Sequence, residues 1–246
     1  MRARVVLLRM HESGLIQLPR ARNGNGNRTR HEQEAPMLDT AMGLSHPPID
    51  KRVDQLGELS IEIITSANRD RNARWRSYLS HYHYLGWTPV VGSQLRYWIS
   101  ANGQTLALVS FGAASWKVGC RDRWIGWTPE QREQRLPLII NNTRYLILPW
   151  INSKNLASKV LGMLTKRVAN DWEQTYGLRP ALVETFVDSE RFAGTCYKAA
   201  NWVCVGQTKG RGKYDSHHRQ ESPIKDVWTY SLRRNSTQFL RSTCLR

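Results

Sequence analysis

The chain has 246 residues, 40% of them hydrophobic, enough to bury a core in one large domain or in one domain with an extension. Thirty-six Lys and Arg against 20 Asp and Glu leave a formal charge of +16. That balance favours polyanionic partners, nucleic acid first and a membrane surface second, over neutral ones. No run approaches the roughly 18 apolar residues of a spanning helix, so a soluble protein with no membrane partner is expected, and four scattered cysteines fit a reducing cytoplasm.

The start, MRARVVLLRMHESGLIQLP, sets basic residues before an apolar run. Arg9, His11 and Glu12 interrupt it before any small-residue cleavage site, which argues against a secretory signal. Residues 1–20 read as the remnant of an N-terminal helical segment, with a short helix over 5–14. Residues 21–58 read as a polar, disordered linker, because their few apolar groups cannot offset the entropy of ordering them. Pro47 and Pro48 mark an extended break within it.

From Leu59 the pattern changes. IEIIT alternates like a strand, and RWRSYLSHYHYLGW carries aromatics at helical spacing up to Gly86. LRYWISA and TLALVSFG flank Asn102-Gly103, a strong hairpin signal. Thr128, Pro129 and Gln131 supply an N-cap, a first-turn proline and a capping-box partner for a helix through EQREQRL. RYLILPWI reads as a buried strand. Leu156, Val160, Leu164, Val168 and Trp172 then recur every four residues, with Asn155 or Ser153 placed to cap a long helix and Gly177 to end it. ALVETFV, WVCVGQT and KDVWTYSL read as strands, SERFAGTCYKAAN as a short helix, TKGRGKYDSHH as an exposed basic loop, and residues 235–246 as a basic tail. The expected fold class is therefore α/β (α+β), a mixed, mostly antiparallel central sheet with flanking helices. This element order resembles that of the GNAT acyltransferases, in which two central strands splay apart around the ligand.

Several residues carry chemical possibilities. Asp122, Glu184 and Asp188 are acids in a basic core, and Glu184 and Asp188 fall at and just after a strand end, where open α/β sheets place ligands. They are candidate catalytic residues and candidate ligands of a divalent metal for phosphodiester cleavage. Ion pairs with the many arginines are the weightier alternative. His81 and His83, interleaved with Tyr82 and Tyr84, offer a base or an aromatic packing cluster. Cys120, Cys196, Cys204 and Cys244 show neither metal-ligand nor disulfide spacing. Cys196 is a nucleophile on one reading and a small hydrophobe on the better one.

Ten tryptophans and nine tyrosines exceed what a core of this size requires. Trp98, Trp150, Trp172 and Trp228 follow strand or helix patterns and are expected inside. Trp116, Trp124 and Trp127 alternate with Lys117, Arg121 and Arg123 and are expected to form a contact surface, stacking on unpaired bases. GQTKGRGKYD sets Lys209, Arg211 and Lys213 among glycines that let a backbone approach phosphate, with a solvated loop an equal alternative. His217-His218 in the following polar segment carries no specific signal. Tyr197 is a candidate general acid in the short helix, as in many GNAT enzymes. WINSKNLAS, however, lacks the glycine-rich turn that cradles a pyrophosphate, so coenzyme A is not expected as a cofactor.

YHYLGW, QLRYWI, SFGAASWKVGCRDRWIGW, NNTRYLILPWI, NLASKVLG, DWEQTYG, ETFVD and GTCYKAANWVCVGQTKGRG follow one another as in the DruA family, known from Druantia anti-phage systems and from transposon-associated relatives. The resemblance spans residues 82–232. It implies a prokaryotic, intracellular protein of defence or mobile elements, with a DruA-type, GNAT-like domain over residues 59–234 and other proteins of such a system as partners. Relatives usually carry a longer region ahead of a segment like HESGLIQLP, so a natural short form or a truncated frame is expected here.

The matching polar positions are His83, Arg121, Asp122, Asn142, Arg144, Glu184, Asp188, Tyr197, Asn201, Lys209 and Arg211. The expected nucleic-acid contacts, to DNA or RNA, are Arg121, Arg123, Trp124, Arg144, Asn201, Lys209, Arg211 and Lys213. Three functions follow as expectations: a nucleic-acid-binding protein, a metal-dependent nuclease or strand-transfer enzyme, and a GNAT-like group transferase.

Overall fold

The computed structural model describes residues 10–11, 13–17, 46–90, 92–210 and 223–242. It divides into two compact units, residues 1–34 and 35–246. In the first unit, Met10 and His11 are helical and the chain turns at Gly14, whose φ of 74° suits glycine. Most of the expected linker lies outside the described residues, as do Arg211, Lys213, His217, His218 and Cys244.

In the second unit, β1 (Ile49–Asp50) is followed by β2 (Ser60–Ile63), α1 (Arg69–Tyr82), β3 (Gln94–Ala101) and β4 (Gln104–Ala113). Next come α2 (Gly119–Ile125), α3 (Pro129–Arg135), β5 (Ile139–Ile147), β6 (Ile151–Asn152) and the long α4 (Leu156–Tyr176). The chain continues through β7 (Leu182–Asp188), α5 (Thr195–Ala199), β8 (Val203–Gln207), β9 (Lys225–Ser231) and α6 (Ser236–Arg241). Seven strands form one sheet in the order β2-β3-β4-β5-β7-β9-β8, antiparallel except where β5 meets β7. The expected mixed, mostly antiparallel α/β architecture is the one observed. None of the described helices is long and apolar enough to cross a membrane.

Local sequence explains much of this. Asn102 and Gly103 both adopt positive φ, the two-residue turn whose twist matches a hairpin, and set Ala101 opposite Gln104. Thr128 and Gln131 form the expected capping box. In α4, Leu156, Val160, Leu161, Leu164, Val168 and Trp172 are all buried, and Gly177 ends the helix at φ 69°. The start of α4 differs from expectation: Asn155 takes a left-handed conformation and neither its side chain nor that of Ser153 caps the helix. Instead, the Ser153 carbonyl accepts the Leu156 N–H.

Three boundaries also differ. Residues 46–58, read as linker, are part of the domain: β1 pairs in parallel with β6, Ile49 and Leu56 are buried, and His46 stacks on Trp150 at 4.0 Å. The tail holds α6, whose Leu240 is fully buried in a second core with Ile125, Leu136 and Ile139. A six-residue helix is too short for its apolar period to stand out in sequence. Finally, GCRDRWI is a helix, and β5 begins at Ile139 because Asn141 and Asn142 find sheet partners despite their polarity.

Candidate nucleic-acid interface

The strongest electrostatic feature is buried. Arg121, on α2, has no exposed side-chain surface; its Nη1 donates to Glu184 Oε2 at 2.8 Å and to the Ser115 carbonyl at 2.9 Å. Its Nε and Nη2 reach Asp122 Oδ1 at 3.0 and 2.8 Å. Glu184, equally buried on β7, accepts the Ser115 N–H at 2.9 Å. Burial pushes the Glu184 carboxyl above its ordinary pKa against the pull of Arg121. Asp122 further accepts the Trp127 Nε1–H at 3.2 Å and lies 3.7 Å from Arg132.

This arrangement corrects the expected carboxylate pair for a divalent ion. Asp122 and Glu184 share a guanidinium, which already supplies the compensating charge. Asp188 is buried at the far end of β7, where Oδ1 accepts the Glu190 N–H at 3.2 Å. Among the described residues, no group of three His, Cys, Asp or Glu is placed to hold a metal ion. Arg121 is likewise removed from the expected nucleic-acid contacts by its burial.

Around this anchor the surface is basic and aromatic. Trp116 is 58% and Trp124 36% exposed, with Lys117 and Arg123 exposed beside them. The Arg132 guanidinium lies 5.7 Å from the centre of the Trp116 ring. Trp127 departs from expectation: it is buried, with Arg121 over its ring at 5.6 Å. Its indole N–H needs a partner inside, and Asp122 provides one. β8 closes on α2 at Gly206, where φ is 128° and an added Cβ would lie 2.9 Å from Cys120 Cβ. Lys209 follows three residues later and is exposed. Arg132, on α3 and 16 positions after Trp116, was not singled out by sequence; its spacing from Trp116 across a helix boundary carries no periodic signal.

A second cluster lies where β5 and β7 diverge. These strands pair only through Ile139, Ile140 and Asn141 with Leu182, Val183 and Glu184. Beyond that point side chains fill the split. The Tyr197 hydroxyl donates to Asn142 Oδ1 at 2.9 Å, the Thr185 hydroxyl to the Asn142 carbonyl at 3.1 Å, and Asn142 Nδ2 to the Ser110 carbonyl at 3.0 Å. Tyr145 donates to the Ala157 carbonyl at 2.6 Å. Burial, reinforced by Cys196, raises the Tyr197 pKa. Its proton is therefore held on the hydroxyl and committed to Asn142. Burial also raises the half-buried Cys196 thiol, which disfavours a thiolate nucleophile. Thr185, which completes this network, was missed in sequence because only the pairing of β5 with β7 brings it to Asn142.

Arg144 and His83 flank the split. Arg144 donates to the carbonyls of Gly86 and Thr143 and to the Thr88 hydroxyl. His83 stacks on Tyr84 at 5.0 Å, and burial together with Arg144 lowers its pKa to about 4. The Leu85 N–H donates to His83 Nδ1 at 3.2 Å, which leaves the ring proton on Nε2. His81 instead bonds the Ser77 carbonyl through Nδ1 at 2.7 Å, one turn back in α1. Asn201 is an exposed turn residue with φ 63° between α5 and β8.

Solved structures similar to the chain are acetyltransferases. Aminoglycoside acetyltransferase AAC(6')-Ib in complex with coenzyme A and kanamycin is 15% identical over 75% of this chain and 100% of its own, with a TM-score of 0.44. The ribosomal-protein-S18-alanine N-acetyltransferase from Escherichia coli is 9% identical over 72% and 96%, with a TM-score of 0.42. An acetyltransferase of the GNAT family from Streptococcus pneumoniae is 13% identical over 71% and 99%, with a TM-score of 0.44. Comparison with curated proteins returned no match. The family model for Druantia protein DruA matches residues 9–241, nearly the whole chain, and the protein belongs to the DruA family.

Proposed function

We propose that this protein binds nucleic acid within a prokaryotic anti-phage defence system of the Druantia type, using the surface around α2. Family membership supports the defence role. The observation that carries the binding role is the pair of exposed tryptophans, Trp116 just before α2 and Trp124 on it, with Lys117, Arg123 and the α3 residue Arg132 beside them, around the buried Arg121 network that anchors α2. Exposed rings beside cations suit bases and phosphates together, the rings by stacking and the cations by neutralising charge. A rigid anchor limits the entropy lost when that surface is engaged.

Binding of the full chain to labelled single-stranded and duplex DNA and RNA across a salt series tests this reading. Affinity should fall steeply with salt, by a slope of about 0.7 per phosphate contact on single strands and about 0.9 on duplex DNA. Trp116→Ala and Arg123→Ala should each weaken binding without changing the melting temperature. Absence of binding to all four polymers at low salt refutes the proposal.

A group-transfer reading has one geometric point in its favour, the divergence of β5 and β7. Against it, the Tyr197 hydroxyl is buried and committed to Asn142, so proton donation to a substrate would require breaking that bond. Thermal stabilisation by coenzyme A tests it. The metal-dependent nuclease reading has less support, since Asp122 and Glu184 are both held by Arg121.

A further inference from the structure

Away from α2, cross-strand register brings two arginines into one row. Arg96 on β3 pairs with Ser110 on β4, and Ser110 pairs with Arg144 on β5. Residues directly opposite one another share a face of the sheet, so Arg96 and Arg144 lie on the same side, two strand spacings or roughly 10 Å apart. Between them Ser110 is fully buried, its hydroxyl 2.8 Å from that of Thr143.

Neither arginine has a carboxylate partner among the described residues, in contrast to Arg71, Arg121 and Arg167, which pair with Glu62, Glu184 and Asp171. The Arg144 guanidinium is held by three neutral acceptors, Gly86 O at 3.2 Å, Thr143 O at 2.8 Å and Thr88 Oγ1 at 3.3 Å. A guanidinium has five N–H groups, so Arg144 is fixed in orientation while keeping donors to spare. Arg96 makes no side-chain hydrogen bond within the described structure. Burial pulls both guanidinium pKa values down, and Arg76 adds to the effect at Arg96. A partly desolvated cation without an anion is an unfavourable arrangement that a bound anion relieves.

The loop over residues 83–90 borders this row and supplies aromatic faces. Arg76 lies 5.4 Å from the centre of the Trp87 ring and Arg191 lies 5.2 Å from that of Tyr84. Tyr84 also meets Phe192, which is half exposed, with ring centres 5.4 Å apart. His83, stacked on Tyr84, keeps its Nε2–H as a further donor. Cations aligned across strands and flanked by rings match a chain of phosphates with unpaired bases beside it.

We infer that Arg96 and Arg144, on either side of the buried Ser110, form a second contact surface, which seats backbone phosphates of a single-stranded polynucleotide while Trp87, Tyr84 or Phe192 stacks its bases. The inference rests on the nucleic-acid-binding role proposed above but on a different set of residues. Fluorescence anisotropy of the full chain with labelled oligothymidylate and with a hairpin duplex tests it, using Arg96→Gln, Arg144→Gln and Trp116→Ala. Arg96→Gln is the informative variant, because no hydrogen bond to the described fold is lost with it; melting curves identify any loss of folding in Arg144→Gln.

The expected result is a loss of about ten-fold in single-strand affinity for Arg96→Gln, with the salt slope reduced by about 0.7 for the one lost phosphate contact. The hairpin duplex should lose less. Wild-type affinity in folded Arg96→Gln and Arg144→Gln, with loss only in Trp116→Ala, overturns the row as a contact while leaving the binding role intact. No binding by the unaltered protein overturns both. Stabilisation by inorganic phosphate or coenzyme A that depends on Arg96, without any oligonucleotide binding, overturns the inference in favour of a small phosphate ligand.

Discussion

Replacing Glu184 with Ala separates a structural carboxylate from a catalytic one. In the native protein Glu184 satisfies one Arg121 Nη1–H and the Ser115 N–H, both inside the domain. Removing it leaves Arg121 with Asp122 and the Ser115 carbonyl, still buried but short of one negative charge. Breaking a buried ion pair from one side costs about 3–5 kcal/mol, and the orphaned N–H of Ser115 adds about 1–3 kcal/mol. Asp122 retains part of the pairing, so we expect a loss of about 4 kcal/mol, a large share of a typical domain's stability. Urea unfolding of wild type, Glu184→Ala and the double variant Arg121→Met/Glu184→Leu measures this. The double variant removes both charges and should recover the part of the loss that comes from the unpaired charge on Arg121, while the Ser115 N–H and Asp122 stay without these partners. A metal-binding carboxylate behaves oppositely: its removal relieves repulsion and leaves stability unchanged or higher. A Glu184→Ala protein within about 1 kcal/mol of wild type refutes the structural assignment.

Two further perturbations probe the packing and the loop. Gly194→Ala places a Cβ 2.8 Å from the Trp228 ring at a backbone φ of +67°; the strain and overpacking together should lower stability by about 2–4 kcal/mol in denaturant unfolding, and an unchanged midpoint contradicts the close approach. His83 has a pKa of about 4 in the folded protein against 6.5 ordinarily, so the unfolded chain binds the proton first as pH falls. Its contribution is therefore present above pH 6.5 and lost progressively toward pH 4, with a slope below the one-proton limit of about 1.4 kcal/mol per pH unit because part of the ring stays in water. Comparing stability against pH for wild type and His83→Asn should show the difference narrowing across that window; parallel curves refute the neutral, buried imidazole.

Local signals in the chain were sufficient wherever one element decides its own form. Asn102-Gly103 made its hairpin, Thr128 and Gln131 made their capping box, and the four-residue spacing from Leu156 to Trp172 made α4, because each depends on backbone and side-chain contacts within a few residues. The acids and arginines were also visible as a group, and ion pairing was already the weightier reading for them. Tertiary structure decided the partners. Glu184 meets Arg121 across 63 positions because β7 runs beside β5, and Trp127 leaves the surface because Asp122 can accept its N–H inside. Arg96 and Arg144 share a face only through their registers with Ser110, and Leu240 is buried only because α6 packs into the second core. Composition set a strongly basic, foldable chain, whereas the choice of which charges are buried in pairs and which face solvent belongs to long-range strand pairing, which no local pattern encodes.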